Sequence, residues 1–171
     1  MATDRLTNEI DGIPHHARPA LVFPGLRGLY ERMDGLSYLV MRVGFGLIMF
    51  SHGYPKLLGL PHGTMANPMA GTVTLIESVL HLPGAATFAY LVAVLETFGG
   101  LFLAAGLLTR VLAPVFAVHL AIIAYVMGTK FGFPWADKGA EYPVMWGLTA
   151  LYIAFHGGGR FSLDWKIGRE M

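Results

Sequence analysis

Glu96 stands near the middle of an apolar run, Ala85 to Leu108, that otherwise reads as pure membrane helix. An ionised carboxylate there costs about 2.5 to 3.5 kcal/mol on insertion scales, so such a residue turns toward protein and pairs, and it often works. Arg42 in the first apolar run and His119 in the third also lie at membrane depth. By helical rise Arg42 is roughly 9 Å, His119 roughly 12 Å and Glu96 roughly 18 Å from the same face. The three are expected to form one buried polar cluster, able to hold charge pairs and to move protons. His52, Lys56 and Glu141 belong nearer the opposite surface.

Each group also has a purely structural reading. Arg42 can snorkel its guanidinium to headgroups. Glu96 and Arg42 can clamp two helices together without further function. His119 can bond a neighbouring carbonyl, and Lys56 can anchor a helix end at the interface. The clamp predicts that Arg42 and Glu96 are energetically coupled.

Helical spacing orients these side chains. Ala89, Ala93, Glu96, Gly100 and Ala104 form one stripe. All but Glu96 are small, and small residues let helix backbones approach in lipid. Glu96 is therefore expected to face the helix bundle. Arg42, Met49 and Lys56 recur at seven residues, with His52 close to that line.

The elements that must position them are four apolar runs: Leu36 to about Leu58, Ala85–Leu108, Val111–Met127 and Tyr142–His156. The last two fall short of the roughly 20 residues a span needs, so they borrow flanking residues or the bilayer thins. The fold class is all-α, a polytopic membrane four-helix bundle with both termini cytoplasmic. Residues 1–35 are expected to form a tail with a short amphipathic interfacial helix over 25–34, residues 36–156 the four-span domain, and residues 157–171 a second cytoplasmic tail. Asn67 and Pro68 predict the start of a surface helix in the 59–84 loop. Trp135, Trp146 and Trp165 suggest an aromatic belt near the span ends.

Basic residues set the orientation. Arg5, Arg18, Arg27, Arg32, Arg110, Arg160, Lys166 and Arg169 share one side in a four-span arrangement, against Lys56, Lys130 and Lys138 on the other. Met1 to Asp34 lacks the apolar core of a secretory signal, so the first span is expected to direct insertion.

The composition agrees, with 54% hydrophobic residues, 13% charged and a net charge of +1. An average soluble domain carries roughly 25% charged residues. There is no basic stripe for nucleic acid. There is no cysteine, which removes thiol redox chemistry, thiolate-bound clusters and covalent haem. The histidines, His15 and His16 of the tail included, show no i, i+4 pairing with a carboxylate that would announce a metal. No internal repeat is visible.

Five motifs in order resemble the DoxX family across roughly residues 36–166. They are Arg42-Val-Gly-Phe-Gly-Leu-Ile-Met-Phe-Ser-His52-Gly-Tyr-Pro-Lys56, Glu96-Thr-Phe-Gly-Gly, Gly106-Leu-Leu-Thr-Arg110, Gly139-Ala-Glu141 and Gly157-Gly-Gly-Arg-Phe-Ser-Leu-Asp164. Where the family commonly carries proline in the last motif, this chain has Gly158. The resemblance implies a four-helix integral membrane protein of the inner membrane, with Arg42, His52, Lys56, Glu96, Arg110 and Glu141 as its polar motif residues. It also implies association with a quinone-linked oxidoreductase. Arg42 and His119 would then donate to quinone carbonyls and Glu96 would exchange protons, with His52, Lys56 and Glu141 lining the ligand. Electrons would come from a partner redox protein, since no cofactor motif is present. The rival expectations are a non-catalytic anchor or assembly subunit and, more remotely, a small transporter. A homo-oligomer is an alternative to the redox partner.

Overall fold

The computed structural model describes residues 21–169. Every regular element among them is helical, with one isolated bridge between His62 and Met65. Arg5, His15, His16 and Arg18 lie outside the described residues. Contacts divide the chain between Asp34 and Gly35.

In the first unit a 3-10 turn, Pro24–Leu26, leads into helix α1, Arg27–Leu58. The separate interfacial helix expected over residues 25–34 is therefore not found. Those residues from Arg27 onward are the first turns of one 32-residue helix. The physical reason is the absence of a stop. Gly28 and Gly35 each cost a helix only about 1 kcal/mol, and no proline intervenes before Pro55.

The second unit begins at Gly35. It contains the rest of α1, then α2 (Pro68–Leu80), α3 (Ala85–Ala105), α4 (Thr109–Phe131), α5 (Glu141–His156) and α6 (Leu163–Ile167). The Asn67 side chain accepts from the Ala70 N–H at 3.0 Å, the cap expected at the start of α2. Gly106, at φ +72°, ends α3 in the left-handed region that glycine enters without strain. Helix α4 takes in Gly128 to Phe131 and reaches 23 residues.

Three segments are long and apolar enough to cross a membrane: Pro24–Leu58, Ala85–Ala105 and Thr109–Phe131. The fourth apolar helix, α5, has 16 residues. Its rise is about 24 Å, against a hydrocarbon thickness of roughly 30 Å. It packs along α4.

The bundle interior is small and dense. Phe45 and Phe116 meet edge to face, with centroids 5.6 Å apart, and Trp146 closes on Phe45 at 6.0 Å. Trp146 is thus half-buried against the core and not part of an interfacial belt. Large apolar side chains such as Val118, Ile122, Leu148 and Phe155 point outward instead. An apolar exterior of this extent suits lipid, not water.

Candidate functional site

Glu96 is 3% exposed. It lies in a π-helical turn, Leu95–Gly99, that interrupts α3. A π-turn inserts one residue into the α register and is frequent at functional sites. Glu96 and Thr97 both face inward, as do Gly99 and Gly100. The Thr97 hydroxyl donates to the Ala93 carbonyl at 2.7 Å, four residues back along the disturbed turn.

Glycines on α1 bring its backbone against this turn. A Cβ on Gly53 would lie 2.5 Å from the Thr97 backbone nitrogen and 2.7 Å from Glu96 Cβ. A Cβ on Gly46 would lie 2.6 Å from the Ala104 nitrogen. The two helices run antiparallel, with Gly53 facing Glu96 and Thr97.

That register decides which base reaches the acid. Lys56 is one turn beyond Gly53 and donates from Nζ to Glu96 Oε2 at 2.5 Å. His119 Nε2 shares a hydrogen bond with Glu96 Oε1 at 3.0 Å. Both carboxylate oxygens are therefore engaged, by groups from α1 and α4. Lys56 is not the interfacial anchor expected of it, because its long side chain folds inward to the buried Glu96 carboxylate.

Arg42 does not join this cluster, and the Arg42–Glu96 pairing is corrected. Arg42 is eleven residues before Gly53 on α1, about 16 Å by helical rise, which exceeds the reach of an arginine. Its guanidinium serves the other end of the bundle. Nη1 donates to the Leu103 and Ala104 carbonyls at 2.7 and 2.8 Å, and Nη2 to the Phe161 carbonyl at 2.9 Å. It thus bonds the last-turn carbonyls of α3, where a cation is favoured.

Residues 157–169 are not a trailing tail. Asp164, fully buried, accepts from the Leu108 and Thr109 N–H groups, both at 2.9 Å. It caps the N-terminus of α4 from outside that helix. The Asp164 N–H donates to the Gly106 carbonyl at 2.9 Å. The Tyr38 hydroxyl donates to the Gly157 carbonyl. Arg42, Asp164, Tyr38 and Ser162 form a clamp that binds the ends of four helices. Asp164 closes the last of the five motifs. Its signal was Ser162 two residues earlier, a helix-capping residue, which placed Asp164 in the first turn of a short helix.

His52 and Glu141 stand outside the triad. The His52 ring lies 4.8 Å from that of His62, centroid to centroid. Glu141 Oε2 accepts from the Trp135 N–H at 3.0 Å and braces the loop before α5. Arg110 donates to the Phe155 carbonyl at 3.2 Å, at the end of α5.

A family model described as DoxX matches residues 37–129, a stretch that holds Arg42, His52, Lys56, Glu96, Arg110 and His119. The chain is 32% identical over 130 residues to "Putative oxidoreductase CatD" of Bacillus subtilis (strain 168). That alignment covers 75% of this chain and 85% of the relative. No solved structure matches it.

Proposed function

This chain belongs to the DoxX family, and from that premise we propose that it is a redox-linked subunit of a bacterial-type cytoplasmic membrane, binding quinone or relaying protons for a partner oxidoreductase. One observation carries the reading: an acid buried in the bundle, in a π-turn, held between a lysine and an imidazole. A carboxylate so placed can take up a proton only if its partners rearrange, and both partners are themselves proton carriers. The relative's name includes the word oxidoreductase, which favours a redox setting for that exchange. In this reading α5 completes a fourth span and both chain ends face the cytoplasm. Quinone would bind against Lys56 and His119, the donors nearest the acid, and the electrons would come from the partner.

A non-catalytic anchor is the second reading. It is favoured by the clamp, where Arg42 and Asp164 spend their charge on backbone groups.

The test is turnover per assembled complex, with bound quinone quantified in the same sample. Glu96→Gln keeps shape and hydrogen bonding but cannot ionise. Whatever fraction still assembles, it should show no quinone-linked turnover per complex, and Glu96→Asp should retain some. Normal turnover in an assembled Glu96→Gln complex would remove Glu96 as a proton carrier and leave the anchor.

A further inference from the structure

The two ends of the bundle differ in a way that bears on how a proton reaches Glu96. At the Arg42 end the buried charged side chains bond backbone groups, while Arg42 Nε and the Thr109 hydroxyl have no partner among the described residues and the exposed His156 ring stacks on Tyr38 at 3.8 Å. Arg42, Asp164, Tyr38 and Ser162 each bond a backbone group, and among the described residues the core between them and Glu96 is apolar. Phe45, Phe116 and Leu103 fill the interior between.

The end where α1 finishes is built differently. His52 lies four residues before Lys56, on the same helical face. His52 is exposed and within electrostatic range of Glu96, Lys56 and His62. The His62 ring packs against it at 4.8 Å. The loop that carries His62 is fixed in place. The Leu60 N–H donates to the Pro55 carbonyl at 2.9 Å, and His62 and Met65 exchange two backbone hydrogen bonds at 2.9 and 3.0 Å. Two imidazoles thus stand in contact, one on the surface loop and one on the face of α1 that carries Lys56.

We propose that His62 and His52 are the proton-entry residues of this protein, carrying protons between the aqueous phase on the α1 C-terminal side and the Lys56–Glu96–His119 triad. An imidazole accepts a proton on one ring nitrogen and releases one from the other, so each passage leaves the ring as it was. The inference deepens the proposed function and rests on Glu96 being a proton-exchanging acid. It adds a direction: exchange occurs at the loop 59–67 face and not at the clamp.

The test uses the full-length protein in nanodiscs. A pH jump is followed by time-resolved infrared difference spectroscopy at the protonated-carboxyl band that Glu96→Gln removes. His52→Gln, His62→Gln and the double variant should slow that band by roughly 10²-fold, the scale of a positioned proton carrier, with its amplitude unchanged. Added imidazole should restore much of the rate. His81→Asn, elsewhere in the same loop region, should behave as wild type. His62 lies in a loop, so its variant remains informative if His52→Gln fails to fold. Wild-type rates in the double variant would overturn the entry path while leaving Glu96 a proton carrier. A wild-type protein with no carboxyl band over the accessible pH range would overturn both.

Discussion

Lys56 and Glu96 meet because a lysine at the end of one helix bends back into the bundle. Removing either partner leaves the other charge buried, and breaking such a pair costs about 3 to 5 kcal/mol. Lys56→Met and Glu96→Gln should each lower stability by that order, and the double variant should recover part of the loss. Arg42→Met should be costly too, since it frees the carbonyls of Leu103, Ala104 and Phe161. It shares no partner with Glu96, so its loss should add to that of Glu96→Gln. A thermal-melt cycle in detergent separates the two cases. Coupling between Arg42 and Glu96, or its absence between Lys56 and Glu96, would contradict this assignment. The inward face of Glu96 was legible from its small neighbours, and His119 was legible from depth. The Lys56 contact was not legible, because helical rise fixes depth only at Cα and a lysine head can lie a full turn from its own backbone.

Helix against helix, the contact between α1 and α3 is made by backbone. In an isolated helix, Gly→Ala stabilises by about 1 kcal/mol. At Gly53 the added methyl strikes the Thr97 nitrogen, so Gly53→Ala should destabilise, by about 1 to 3 kcal/mol as overpacking does. Gly44→Ala, with nothing within 4 Å, should be neutral or mildly stabilising. Equal effects in a denaturation assay would mean that α1 and α3 do not approach so closely. Gly46 and Gly53 share a face with Arg42 and Lys56, and that spacing was the available clue to the register. The π-turn had no such signal. Leu95-Glu-Thr-Phe-Gly99 has no proline, and only tertiary packing makes one extra residue in the turn favourable. The continuity of α1 through residue 34 was missed for a related reason, since an amphipathic pattern does not say where a helix stops.

For the molecule as a whole, the membrane class and the helical fold were legible in composition and in the lengths of the runs. Reporter fusions after Arg110 and beyond Lys166 should both read cytoplasmic, and one near Asp137 external. An external reading beyond Lys166 would mean that α5 does not span. The clamp was not legible, because it joins residues far apart in sequence, Arg42 to Phe161 and Leu108 to Asp164. Neither contact follows from periodicity.

Asp164 also sets an order of events as the chain is made. The groups it caps, at the head of α4, are synthesised more than fifty residues before it. Until the ribosome has delivered Phe161 and Asp164, a nascent chain with its long helices already inserted has an uncapped helix end and an arginine one acceptor short. The bundle locks only after its last apolar helix has been translated. A chain released before Phe161 would therefore leave the ribosome unlatched, and membrane quality-control proteases could tell it from a finished one.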